Sequence, residues 1–212
     1  MVKTFFAVSW LAVLAGIFWL IFYSPLFLVS IITVKENQEI AQDVAKLVEP
    51  AVFGKRYGIF KKNHPLFIDE RFISALVLER FPQLSEATPK YNFFQHALEI
   101  TIEPRKPVAH WCRGDGCYLI DRKGIIYAPA GVREGSVILV IRDLTSREAR
   151  LGMRVVPETW MSFFSSMRER LRSIVWISSV ILEEESLGAH YVKLETVDGW
   201  HLVVDTDMEP IT

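Results

Sequence analysis

The chain has 212 residues, half of them hydrophobic, with 24 Lys+Arg against 25 Asp+Glu and a formal net charge of −1 at pH 7. This balance argues against a general nucleic-acid or anionic-lipid role for the chain as a whole, and the length allows one large or two small domains. There is no low-complexity tract and no internal repeat.

The first predicted element is Phe5–Tyr23, an uncharged run in which eleven residues are Phe, Leu, Ile or Val. At about 1.5 Å per residue it would reach roughly 28 Å as a helix, and its apolar side chains favour insertion by on the order of 3–7 kcal/mol. It is therefore expected to be a transmembrane helix. A cleaved signal peptide fits less well, because the run is long and no A-x-A site follows it. Residues 1–4 would be a short cytoplasmic tail, with Lys3 as the positive-inside signal, and the bulk of the chain would be extracytoplasmic. Ala12, Ala15 and Gly16 offer small residues for helix packing, although their spacing is irregular.

Leu26–Val34 reads as a strand, and Asn37 as the cap of a helix carrying Ile40, Val44, Leu47 and Val48, closed by Pro50. The loop after it is basic, with Lys55, Arg56, Lys61 and Lys62. A solvated loop is the ordinary reading, and contact with lipid headgroups or a partner the functional one. Asp69 caps a second helix with Phe72, Ile73, Leu76 and Val77 on one face, ended by Phe81-Pro82. Strands follow at Ser85–Tyr91 and Ala97–Glu103. The order β-α-α-β-β predicts helices stacked on one face of a small sheet. From Pro107 the pattern turns to short strands at Val108–Cys112, Cys117–Asp121, Ile125–Ala128 and Val137–Ile141. Pro157 opens a helix with Trp160, Phe164, Met167, Leu171 and Ile174 as its apolar stripe and Arg168, Glu169, Arg170 and Arg172 outside it. Strands resume at Ile177–Leu182, Tyr191–Thr196 and Trp200–Asp205, the last two joined by the hairpin signal Val197-Asp198-Gly199. The fold class is α+β, with a mostly antiparallel β domain that carries one helix.

Cys112 and Cys117 flank a Gly-rich turn. They either pair across a hairpin or remain two thiols, and the choice depends on the redox compartment. The five histidines are scattered, and no metal, nucleotide or nucleophile motif is present. Neither a catalytic residue nor a cofactor is expected. The Glu183-Glu184-Glu185 run lacks calcium-loop spacing.

Three stretches resemble the FtsQ/DivIB family of bacterial cell-division proteins. They are Phe27–Asn37, Phe81–Ala87, and Leu98–Trp111 followed by Leu119–Gly124. The last has the pattern strand, Arg-x-Pro-x-Ala-x-Trp, then hydrophobic-Asp-x-x-Gly. Pro104 stands where many relatives carry Glu. The resemblance covers about residues 1–130 and is one of architecture alone beyond Gly131. It implies a POTRA domain at 26–105 and a β domain at 106–212, the latter read as lacking the family's last strands. It also implies a non-enzymatic divisome scaffold in the cytoplasmic membrane at the septum. Such a scaffold would bind an FtsB/FtsL-like coiled-coil pair, reach other divisome proteins through the POTRA domain and help control septal peptidoglycan synthesis.

The mechanism read from the residues is strand addition at an exposed sheet edge. The candidate residues are Trp200, His201, Leu202, Val203 and Val204, with Tyr191, Val192 and Leu194 on the neighbouring strand. The plainer reading is that Trp200, Leu202 and Val204 face the domain's own core. A reading from another class, a membrane-anchored extracytoplasmic enzyme such as a cell-wall hydrolase, requires Glu103, Asp121, Glu183 and His201 to converge. A POTRA-type secretion or sensor protein would need tandem repeats or a second membrane element.

Overall fold

The computed structural model describes residues 2–24, 27–56, 60–131, 138–145, 148–171, 173–183 and 191–205. Leu26, Val137, Arg172, Glu184 and Glu185, all named above, lie outside them, as do the side chains of Lys55, Arg56, Lys61 and Tyr191. The architecture is α+β, in two compact units. Unit 1 is Met1–Phe81 with Ser85–Glu103, and unit 2 is Pro82–Leu84 with Pro104–Thr212.

The predicted transmembrane helix is corrected. The apolar run folds as α1, Val2–Tyr23, which also takes up most of the predicted tail. Among the described residues, however, no helix is long and apolar enough to cross a membrane. The described side chains from Ser9 to Leu20 are exposed. Beyond Leu20 the helix is engaged by protein. His64 Nε2 lies 3.0 Å from the Ile21 carbonyl, and the Phe22 ring stacks on His64 with centroids 5.5 Å apart. Counting apolar residues in the sequence could not show that the last turn packs against a later segment.

Unit 1 continues with β1 (Ile31–Lys35), α2 (Gln38–Val52), a two-stranded ribbon β2–β3 (Lys55–Arg56 and Phe60–Lys61), α3 (Glu70–Arg80), β4 (Leu84–Asn92) and β5 (Ala97–Pro104). The sheet order is β1-β5-β4, with β1 parallel to β5. Asn37 Oδ1 accepts from Glu39 N, and Asp69 Oδ1 from Phe72 N, so each helix starts at the short polar residue that meets its orphan N–H groups. Pro50 lies inside α2 rather than closing it. The last turn persists because Val48 and Val52 are fully buried. Phe72, expected on the apolar face of α3, is 56% exposed, while Ile73 and Val77 take the core. The basic loop contains the β2–β3 ribbon, which a charge-rich pattern does not announce.

Unit 2 is a seven-stranded sheet in the order β12-β11-β10-β9-β6-β7-β8. Its strands are β6 (Ala109–Arg113), β7 (Gly116–Ile120), β8 (Ile126–Pro129), β9 (Leu139–Asp143), β10 (Ile177–Leu182), β11 (Tyr191–Thr196) and β12 (His201–Asp205), with α4 (Glu158–Leu171) between β9 and β10. The β6–β9 and β9–β10 pairs are parallel, so the centre of the sheet is mixed where antiparallel pairing was expected. A helix-length crossover between β9 and β10 permits this, since parallel neighbours need a long connection. Met161 and Phe164 of α4 are buried in one cluster with Trp111, Ile120, Ile141 and Val180. Ile174, expected to continue the stripe, falls past the end of α4 and is 77% exposed. Cys112 and Cys117 stand opposite each other in the β6–β7 register and are joined by a disulfide.

The signature residues brace this unit. Trp111 Nε1 donates to Asp143 Oδ2 at 3.1 Å, and Asp143 Oδ1 accepts from Thr145 N. Arg105 pairs with Asp121, whose Oδ1 accepts from Lys123 N and Ile125 N. Tyr127 lies close by. Burial, and then the Asp121 charge, push its hydroxyl above the ordinary tyrosine range, with Arg105 opposing. A raised folded value holds the neutral phenol. Its stabilisation is fully present below about pH 10 and is lost as pH climbs through the folded value. Tyr127→Phe is expected to flatten the alkaline fall in stability, measured by urea unfolding from about pH 8 to about pH 11.

Candidate functional site: the open edge of the unit 2 sheet

The sheet of unit 2 ends in two margins, β8 and β12. The outer flank of β8 is occupied at its first residue, Ile126. Ile126 N donates to Met153 O, Gly152 N donates to Ile126 O, and Ile125 bridges Arg154. β12 pairs with β11 on one side, and among the described residues no strand lies on its other side.

The hairpin that presents β12 is built by Thr196 and Gly199. Thr196 N donates to Trp200 O, Gly199 N to Thr196 O, and Trp200 N to Thr196 Oγ1. Gly199 sits at φ +82, a conformation glycine adopts without steric penalty. The register runs Leu202↔Leu194 and Val204↔Val192. Hydrogen-bonded pairs alternate along an antiparallel ladder. Counting by twos from Thr196 and Trp200, Leu202 and Val204 bond inward to β11. The backbone N–H and C=O of His201 and Val203 then face the open flank.

The structure divides the predicted residues accordingly. Val192 and Leu194 are buried at 0% and 2% exposure, and Leu202 and Val204 pack partly against the same core. His201 and Val203 are exposed on the opposite face of the strand. Trp200, placed on the core face in the plainer reading, is 69% exposed because it falls in the turn before the alternation begins. For Tyr191 only the backbone is described, paired with Asp205. The sequence did not bring Val197 and Trp176 to the site. The Val197 N–H donates to the Trp176 carbonyl at 2.9 Å, tying the hairpin tip to the α4–β10 connection. Val197 (69%), Trp176 (55%) and Trp200 are therefore exposed apolar groups at one end of the open edge. A Trp just after a helix is the signal that was available.

Three of the residues required by the enzyme reading belong to unit 2. Asp121 is buried in its ion pair, and Glu183 is bonded through both oxygens to Lys193 Nζ. His201 stands on the exposed edge, and Glu103 is an exposed residue of the other unit. Among the described residues no group of three or more His, Cys, Asp or Glu is arranged to hold a metal ion. What this margin can offer a partner is backbone hydrogen bonding flanked by aromatic surface, an arrangement that recruits an extended segment. Comparison with protein-family models finds no match for this chain, and comparison with curated proteins finds none either.

Proposed function

We propose that the chain is a non-enzymatic scaffold of the bacterial division machinery. It takes a strand from an FtsB/FtsL-like coiled-coil pair onto β12, reaches other division proteins through unit 1, a POTRA domain in this reading, and so helps control septal peptidoglycan synthesis. The observation that carries this is the asymmetry of the sheet. β8 is covered at Ile126, while among the described residues β12 has no outer neighbour and has Trp200, Val197 and Val203 exposed around it. A long unpaired edge invites aggregation unless a partner uses it, and aromatic side chains beside it are the residue types that anchor interfaces. The Cys112–Cys117 disulfide agrees with work outside the reducing cytoplasm, at the division septum.

The decisive test is Val203→Pro. Proline removes the N–H that faces the open flank and leaves the inward bonds of Leu202 and Val204 in place, as edge strands tolerate. The variant is expected to fold, with far-UV dichroism and melting close to wild type. Co-purification with the coiled-coil pair should fall at least about tenfold, equivalent to one or two net hydrogen bonds plus lost fit. Undiminished capture by a folded Val203→Pro protein would remove β12 as the site. A fluorescent fusion spread evenly over the envelope, with no midcell band, would remove the division role.

A further inference from the structure

Strand β12, His201-Leu202-Val203-Val204-Asp205, is complementary to itself. The backbone groups of His201 and Val203 face the open flank, and counting on by two adds those of Asp205. When a second copy of the strand is turned end for end and laid alongside, Val203 faces its own copy, and His201 faces Asp205 on either side of it. Each of these is a hydrogen-bonded pair of the antiparallel kind, so the two strands exchange about six main-chain hydrogen bonds. Between them Leu202 faces Val204 of the copy, in the pairs where side chains stand closest.

The side chains suit this register on both faces of the strand. On the core face Leu202 and Val204 are half-buried against their own core, and the pairing covers more of each. On the other face Val203 is 64% exposed, an apolar β-branched side chain at an open margin, and it meets its copy. The His201 imidazole stands opposite the Asp205 carboxylate, donor to acceptor, at both ends of the ladder. The charges nearby are compatible with this. Glu195, beside His201 on β11, accepts from Arg142 Nη1 at 3.0 Å and Ser179 Oγ at 2.7 Å. Lys193, beside Val203, is paired with Glu183. Lys193 and its copy would lie three strand spacings apart, about 14 Å, beyond the screening length at physiological salt. Asp198 belongs to the hairpin tip, outside the ladder.

Other pairings of the two edges are poorer. Shifting the register by two residues sets His201 against Val203 and leaves an end residue without an opposite. A parallel pairing of identical strands needs an offset between them, so it does not close as a two-fold dimer. We propose that two copies of the chain join through β12 in the end-for-end register, around a two-fold axis at Val203. This rests on the open edge of the preceding reading and names its occupant when the coiled-coil pair is absent. Self-association and capture of a partner strand then exclude each other.

The test uses the full chain in detergent micelles, with α1 common to every variant. Because Cys112 and Cys117 are disulfide-bonded, Val203→Cys adds a single reactive thiol, placed on the two-fold axis. Opposite residues of a hydrogen-bonded pair lie about 5.5 Å apart at Cα, within disulfide reach. Mild oxidation is expected to give a covalent dimer. His201→Cys is exposed too, but its copy lies about 13 Å away along the ladder, so it should stay monomeric. His201→Cys combined with Asp205→Cys should cross-link again. Without oxidant, H201D sets like charges opposite each other at both ends and should weaken self-association about tenfold in sedimentation velocity, and H201D/D205K should restore it. Equal cross-linking of Val203→Cys and His201→Cys would overturn the proposal, as would an H201D protein that associates undiminished. A dimer cross-linked in this pattern, with no capture of the coiled-coil pair by the wild type, would keep the proposal and remove the division role. Capture that Val203→Pro abolishes, with no cross-linked dimer, would do the reverse.

Discussion

Gly124→Ala should destabilise unit 2 by about 3–5 kcal/mol, a large share of what holds a small domain folded. Gly124 sits at φ +72, where a Cβ costs about 1–2 kcal/mol in any protein. Here the conformational cost is the smaller part. A Cβ at this position would lie 1.9 Å from the Val156 carbonyl oxygen and 2.8 Å from its carbon. Both are backbone atoms, and Val156 is fully buried, so neither can rotate away. Moving Val156 would also break the bonds its segment makes to the Gly124 carbonyl, from Val155 N at 2.9 Å and Val156 N at 3.4 Å. Each is worth roughly 1 kcal/mol net. Gly114→Ala supplies the reference. It shares the positive φ, at +54, and has nothing within 4 Å of its Cβ position, so it should cost only about 1–2 kcal/mol. Thermal unfolding followed by circular dichroism should separate the two by roughly 10 °C or more. Equal losses would mean that the segment around Val156 is not lodged against the turn.

That turn shows how the sequence was informative and where it was not. The residues that suggested a family, Arg105, Trp111, Asp121 and Gly124, are those whose spacing is dictated by unit 2's own construction. Arg105 reaches Asp121, Trp111 reaches Asp143, and Gly124 leaves room for Val156. These four residues fall within one short stretch of chain and so leave a readable pattern, although Trp111 reaches Asp143 across 32 residues. Strand periodicity was legible for the same reason, since Leu98, Ile100 and Ile102 alternate into the core as the pattern indicates. The parallel centre of the sheet was not legible, because pairing between β6, β9 and β10 joins segments far apart and depends on long connections. Nor was the fate of α1. Its uncharged run suggested a spanning helix, which no described helix is long and apolar enough to be, and the engagement of Ile21 by His64 is a contact across 43 residues. The candidate site was legible in part. Alternation placed Leu202 and Val204 inward, whereas the exposure of Trp200 and its proximity to Val197 and Trp176 follow from the tie between Val197 N and Trp176 O.

Arg105 and Asp121 should behave as a coupled pair, and the coupling should exceed the worth of either contact seen alone. Their side chains are 9% and 7% exposed, so each charge has left most of its hydration behind. Both members of the pair make further hydrogen bonds. The guanidinium reaches Asp121 through Nη1 and the Pro82 carbonyl through Nε at 2.9 Å, while the Arg105 backbone N–H donates to Gln83 O at 2.8 Å. Asp121 Oδ1 takes the N–H groups of Lys123 and Ile125 at 2.9 and 3.0 Å, shaping the turn that Gly124 completes. The pair therefore fastens Pro82–Leu84 to the rest of unit 2 and holds the β7–β8 connection. Arg105→Met leaves a buried carboxylate facing a void in its cation shell, and a loss of about 3–5 kcal/mol is expected. Asp121→Asn keeps an acceptor for the turn but leaves the guanidinium unneutralised, with a similar loss. Once the first charge has gone, the second is a liability. The double variant R105M/D121N should therefore lose less than the sum of the two by about 2 kcal/mol or more, read from urea unfolding as a double-mutant cycle. Additive losses would show the two charges acting independently, and the pair would then be no more than a surface contact that happens to be covered.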